Sequence, residues 1–362
     1  MKSGLTIEEM GAEILRQSRA KADYAVDTRR LEMEANDSNV VMRVLDDSKA
    51  DILEPLDVNQ IAHRQIGTHL DIPAKYYDRM LGDNPELLAY NINNWFHKEP
   101  SQRMIRTLDG TARAFVSNKY RRIDHMEILQ AVLPIIGEMP EIRFESCQIT
   151  DSRMYIKAVN PRIQTEVARG DVVQAGIMIS NSETGQGSIC IQPLIFRLVC
   201  ENGMIVNDAK LRKNHLGRVN NASENYQVYT DATLQADDRA FLMKVQDTVR
   251  AAVDEARFHQ IVNMMRETTG AQMNTGDIPA VVKLASKDYK LNESESDGVM
   301  NHLITNHDYT LYGLANAVTR YSQDVDSYDR ATVLEGIGYD MMTMEQPRWQ
   351  RINQVAAMQI AA

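Results

Sequence analysis

The sequence predicts an α+β protein: a central, largely antiparallel sheet with flanking helices, followed by an all-helical C-terminal region with one long helix. Two observations carry that expectation. Between residues 141 and 205, four strand-like runs follow one another, EIRFESCQIT, RMYIKAV, DVVQAGIMIS and SICIQPLIFRLVC, and strands joined by short turns build antiparallel sheet. From residue 231 to about 269 a helical pattern continues without proline, and IPAVVKLASKDY, ESDGVMNHLIT, YTLYGLANAVTRYS and YDRATVLEGIGYDMMT beyond it are all compatible with helices.

The elements before the sheet follow in order. Residues 6–21 place Met10, Ile14 and Leu15 near helical spacing, with acids early and bases late as the helix dipole favours. Residues 31–35 and 40–45 alternate as strands around an Asn-Asp-Ser-Asn turn. Residues 58–81 read as a helical hairpin whose first helix ends near residues 67–70, with Pro73 suited to the first turn of the second. Asn84-Pro85 opens a third helix. Residues 103–117 are two short alternating runs joined by Leu-Asp-Gly-Thr, and Asp-Gly is a strong hairpin signal. Asp124 can cap the next helix, which Pro134 must shorten or kink. The pattern turns all-helical near residue 225, so the expected divisions are 1–57, an N-terminal helix and hairpin; 58–225, the α+β core; and 226–362, the helical region.

With 43% apolar and 25% charged residues in 362, the composition is that of an ordinary soluble globular protein. No run approaches the roughly 20 apolar residues of a membrane span, and the charged N-terminus lacks a signal-peptide core, so a cytoplasmic location is expected. Cys147, Cys190 and Cys200 are odd in number and form no CxxC, which suggests neither a disulfide framework nor a zinc site. The net charge of −10 argues against a protein coated in nucleic acid. The excess acid is mainly C-terminal, because 19 of the 50 acidic but only 12 of the 40 basic residues lie from Asp231 onward.

Several segments are candidates for chemistry. Residues 183–188, ETGQGS, contain GxG, but strand-like residues follow where a phosphate loop needs a helix N-terminus, so a β-hairpin turn is the expectation. Arg197 interrupts the apolar run LIFRLV, as a sheet-edge residue, the partner of an acid, or the lining of a groove. Two basic stretches stand out. Lys210, Arg212, Lys213 and Arg218 lie close together without an acid, and Arg103, Arg106, Arg113, Lys119, Arg121 and Arg122 face only Asp109. Tyr120 sits inside the second, and an aromatic among arginines suits base stacking beside phosphate contact. The bland alternative is that these are solvated loops balancing the acidic half. The eight histidines are scattered, with no HExxH and no Cys/His pairing, and GxSxG, Walker A and SxxK motifs are absent. Glu145, Asp151 and Lys157 lie on adjacent predicted strands, where a metal-dependent nuclease would gather them. The hairpin at 58–81 also admits a helix-turn-helix reading, with Lys75, Tyr76, Tyr77 and Arg79 on its second helix.

Three fragments, IGTHLDIPAKYYDRML, RTLDGTARAFVSNKYRRID and ISNSETGQGSICIQPLIFRLVCENGMI, together resemble the phage and plasmid-like family defined by the domain of unknown function numbered 932. The resemblance covers roughly residues 58–270. It implies a gene of a bacteriophage, a plasmid or their bacterial host, and it implies no reaction and no catalytic residues. Taken with the residues, it leads to a non-enzymatic protein that binds or anneals single-stranded DNA as a homo-oligomer, without cofactor, metal or membrane. Its expected contacts are Arg113, Lys119, Tyr120, Arg121, Arg122, Arg197, Lys210, Arg212, Lys213 and Arg218. The alternative expectation is an effector that binds a host protein of the defence or transcription machinery.

Overall fold

The computed structural model describes residues 1–36, 39–118, 120, 122–187, 189–207, 231–252, 254–273 and 278–360. The first helix, α1 (Ile7–Ala20), opens on a reciprocal cap: the Thr6 hydroxyl accepts from the Glu9 amide while the Glu9 carboxylate accepts from the Thr6 amide. Its apolar stripe, Met10 and Ile14, is buried.

A strand that the sequence pattern does not announce comes next, β1 (Ala22–Asp27), followed by the expected hairpin β2 (Leu31–Asn36) and β3 (Asn39–Val44). The two-residue β4 (Asp57–Val58) leads into α2 (Gln60–His69), α3 (Ala74–Asp83) and α4 (Pro85–Lys98). Asn59 and Asn84 cap α2 and α4 through their side chains, and Pro73 stands at the N-cap of α3. The hairpin of β5 (Gln102–Leu108) and β6 (Thr111–Ser117) turns at Asp109 and Gly110, with φ of 49° and 77°. Positive φ at both central residues is the turn geometry that Asp-Gly favours. These strands form a four-stranded sheet in the order β1-β5-β6-β4. Val26, Leu31, Val40, Ile66, Tyr77, Leu88, Phe96, Ile105 and Phe115 share one core, so residues on both sides of the expected boundary at 57 pack together.

After α5 (His125–Gly137), the strands β7 (Arg143–Ile149), β8 (Met154–Ala168), β9 (Asp171–Asn181), β10 (Cys190–Arg197) and β11 (Asn202–Ile205) form an antiparallel meander in chain order. The expected single sheet over 141–205 is therefore present.

The helical pattern from residue 231 is two helices, α6 (Asp231–Ala252) and α7 (Glu255–Thr269). Asp254 caps α7 by accepting from the Arg257 amide at 2.8 Å. The break has a packing reason. Val173, Ala175, Ile177 and Ile179 share one face of β9 by alternation. Ile177 and Ile179 pack with Phe241, Val245 and Val249 of α6 and with α1 and α5, whereas Val173 and Ala175 pack with Phe258, Ile261 and Met265 of α7. A turn at Asp254 lets each half seat its own stripe. The remaining helices are α8 (Ile278–Asp288), α9 (Glu293–Asn306), α10 (Leu311–Tyr321), α11 (Tyr328–Met342) and α12 (Gln346–Ile360). They share the α7 core with the sheet, so apolar packing continues across the division expected at residue 225. Tyr328 of α11 covers the opposite sheet face with Tyr155, Val159, Met178, Leu194 and Phe196. No helix among the described residues is long and apolar enough to cross a membrane.

Candidate functional site

The stretch Asn181-Ser182-Glu183-Thr184 leaves the end of β9 and is buried throughout. The residues after it turn the chain into β10 with Gly185 at φ 76° and Gly187 at φ 110°. The φ of Gly187 is one that L side chains rarely adopt, and a Cβ there would also push the Arg153 guanidinium aside. The loop is fixed from several sides. Ser182 Oγ accepts from the Gln186 amide at 3.0 Å, Gln65 donates to the Thr184 carbonyl at 2.7 Å, and Tyr120 donates to the Ser182 carbonyl at 3.3 Å. The other end of Gln65 accepts from the Phe115 amide, which ties the loop to β6.

Glu183 is the centre of this arrangement, at 3% exposure. Its carboxylate accepts from Arg113 at 2.5 Å, from the His125 amide at 2.6 Å and from Lys21 at 3.2 Å, and its carbonyl accepts from Arg106 at 2.8 Å. Arg106, fully buried, bridges Asp23 and Asp124 at 2.8 Å each. Lys21 also meets Asp124 at 2.7 Å, and Arg122 meets Asp23 at 3.0 Å. Three carboxylates are thus interleaved with four cations, the arrangement that lets charge be buried at all. Burial would raise the Glu183 carboxyl, but the surrounding His125, Arg113 and Lys21 overcome it and hold it at about 2. Burial pushes His125 down to about 4 although Glu183 pulls the other way, so the imidazole is neutral near pH 7. Asn181 Nδ2 donates both to the Ile123 carbonyl and to His125 Nδ1, which leaves the ring proton on Nε2.

A cleft of about 430 Å³ opens over this cluster. Arg113, His125, Glu183 and Thr184 form one side, Thr150, Asp151 and Ser152 of the β7–β8 turn another, and Asp109 and Thr111 of the β5–β6 hairpin a third. The Arg113 side chain is 10% exposed, and its Nε is buried without a hydrogen-bond partner.

The structure gives two of the expected nucleic-acid contacts other work. Arg113 neutralises buried Glu183. Arg197 grips Asp171 through two bonds of 2.6 and 2.9 Å, under the ring of Tyr312, whose hydroxyl also donates to Asp171. The two arginines lie at opposite ends of β9, about 30 Å apart at about 3.3 Å per residue. Tyr120 is half-buried on the Ser182 loop, and Arg122 keeps an exposed side chain while pairing with Asp23. Lys119, Arg121, Lys210, Arg212, Lys213 and Arg218 lie outside the described residues. The nuclease constellation does not assemble: Glu145 pairs with Arg143, Lys157 is fully buried on Glu335, and Asp151 lines the cleft. Among the described residues no group of three His, Cys, Asp or Glu is placed to hold a metal ion. In the helix-turn-helix reading, Tyr77 is lost to the core, where its hydroxyl bonds His63 Nδ1 at 2.8 Å.

The sequence reading takes residues 183–188 as a hairpin turn and misses Glu183 as a charged centre. Its partners Lys21, Arg113 and His125 lie 162, 70 and 58 residues away, and no short-range pattern joins them.

The sequence profile of one family matches residues 113–353. The chain belongs to the family of the domain of unknown function DUF932. No curated protein and no solved structure matches it. The DUF932 match includes the helices after residue 270, which the resemblance read from the sequence leaves out, and it begins at Arg113, beyond the fragment IGTHLDIPAKYYDRML. Arg113, His125, Asn181 and Glu183 therefore lie within the DUF932 span, while Lys21, Asp23 and Arg106, which complete the ion cluster, precede it.

Proposed function

We propose that the protein binds single-stranded nucleic acid without covalent chemistry, as a component of a mobile genetic element. The observation that carries this reading is the solvent face of the α3–α4 pair. Tyr90 is 68% exposed and Trp95 37% exposed on α4, Tyr76 is 50% exposed on α3, and Lys98 stands 4.4 Å over the Trp95 ring. Lys75 and Arg79 are exposed beside Tyr76. At 3.6 residues per turn, Leu87, Tyr90 and Lys98 fall on one side of α4, opposite buried Ala89, Ile92 and Phe96, while Trp95 lies at the edge of that side next to Leu88. Exposed aromatic rings interleaved with cations suit bases that stack and phosphates that need counterions. Tyr120 and Arg122, with the basic residues outside the described set, extend the same reading. The expected DNA-annealing activity of an oligomer remains part of the proposal.

The test is fluorescence anisotropy of a labelled single-stranded oligonucleotide at several salt concentrations. Tyr90→Ala and Trp95→Ala are each expected to weaken binding by about tenfold, the scale of one lost stacking contact. Lys98→Glu is expected to flatten the dependence on salt. Absence of binding at low salt, or affinity untouched by both aromatic changes, overturns the reading.

A second reading has its own support. The exposed Leu87, Tyr90 and Trp95 of α4 also resemble the apolar part of a protein contact, as the host-protein effector requires. A stoichiometric host protein retained after nuclease treatment, and lost on Trp95→Ala, would favour it.

A further inference from the structure

We infer that the cleft above Arg113 and Glu183 is a binding site for a nucleoside, with the base directed inward and the ribose hydroxyls toward Asp151. The size fits, since about 430 Å³ lies within the range of small-molecule sites. The chemistry of the inner wall is that of a donor surface. Arg113 uses one terminal nitrogen on Glu183, and His125 accepts from Asn181 through Nδ1. Among the described residues, no protein acceptor meets the Nη1 of Arg113 or the Nε2–H of His125, and neither is a buried orphan atom. Two such donors call for carbonyl or ring-nitrogen acceptors, which a nucleobase carries on its edges. Their placement is preorganised, because Glu183, itself held by Lys21, fixes the Arg113 guanidinium and Asn181 fixes the His125 ring.

The outer wall is a carboxylate surface. Asp151 is exposed at the turn between β7 and β8, and its carboxylate has no ion-pair partner among the described residues. Asp109 faces the same opening. A carboxylate accepting from ribose hydroxyls is a recurrent mode of nucleoside recognition. Asp151 disfavours a phosphate at the mouth, where Asp109 is already paired with Arg16 at 2.9 Å, and the Arg113 charge is paired with Glu183. A neutral nucleoside is therefore favoured over its monophosphate. This inference stands apart from the oligonucleotide reading, which concerns α3 and α4, and either can fail alone.

The experiment is isothermal titration of the full chain with adenosine, guanosine, cytidine and uridine, with adenosine 5′-monophosphate and trehalose as comparisons. At least one nucleoside is expected to bind saturably. Adenosine is expected to bind at least about tenfold more tightly than its monophosphate, and Asp151→Asn to weaken nucleoside binding by about tenfold. Thr111→Trp, which fills the cleft from β6, is expected to abolish binding with the melting temperature close to the wild type. Failure of all four nucleosides at millimolar concentration overturns the inference. So does binding that survives Thr111→Trp, tighter binding of the monophosphate, or binding of trehalose alone.

Discussion

Lys157→Met is expected to destabilise the protein by about 3–5 kcal/mol, whereas Lys157→Met combined with Glu335→Leu is expected to return to within about 1–2 kcal/mol of the wild type, or above it. Lys157 projects from β8 on the face that α11 covers, and it meets Glu335 at 2.6 Å with both side chains at 0% exposure. The ammonium also stands 4.6 Å over the Tyr328 ring. The pair is a poor source of net stability, because withdrawing two charges from water costs about as much as their attraction returns. Glu335 Oε1 has no hydrogen-bond partner, which weakens the balance further. Removing the cation alone strands a buried carboxylate; removing both leaves apolar side chains among Tyr155, Val159 and Tyr328. Urea denaturation followed by two optical probes measures both variants and tests for a single transition. A loss below about 1 kcal/mol for Lys157→Met would mean that water reaches Glu335, contrary to the packing of α11 on the sheet.

That buried pair also shows where sequence reading stops. The local devices were legible: Asp109-Gly110 as a hairpin turn, Asp124 and Asn84 as caps, Pro73 and Pro85 as helix starts, and the strand runs over 141–205. Each depends on residues within a few positions of one another. The elements missed are those made by distant partners. β1 exists because residues 22–27 pair with β5 some eighty positions later, and β4 is two residues placed parallel to β6. The break before α7 is written as an Asp-Glu pair that resembles any helix surface until the two halves are seen to serve different parts of one sheet. Arg197 was readable as an ion pair, but not which acid it would meet. For the candidate site, residues 183–188 were legible as a turn, and the buried charges around Glu183 were not. Glu183 looked like a turn residue because the four groups that surround it are spread over the chain from Lys21 to His125.

Stability is expected to fall as the pH is lowered from about 6.5 to about 4, and two histidines supply most of the effect. Burial pushes His125 down to about 4 against the pull of Glu183 and Asp124, with Arg113 and Lys21 adding to the push. Burial likewise pushes His63 down to about 4, opposed by Asp78. Its Nδ1 shares a hydrogen bond of 2.8 Å with the Tyr77 hydroxyl, whose own proton burial holds more firmly than usual. In the unfolded chain both rings take a proton near 6.5. Between about 6.5 and 4 the unfolded state therefore binds more protons than the folded state, and the folded state loses ground at each step down. Each histidine accounts for about 3 kcal/mol across that interval. His69, also lowered by burial and by Arg103, adds in the same direction. Glu183 acts in a lower window: its depressed carboxyl contributes stability above about 4.5 that disappears as pH falls toward about 2. Urea denaturation at pH 7.5, 6 and 5 reads the histidine window, above the range in which Glu183 takes its proton. The double variant His63→Gln with His125→Gln is expected to have a lower plateau at pH 7.5 and a flatter profile down to pH 5. A wild-type profile that is already flat over that range would show both rings to be solvated in the folded protein, and the neutral Nε2–H donor assigned to the cleft would fall with it.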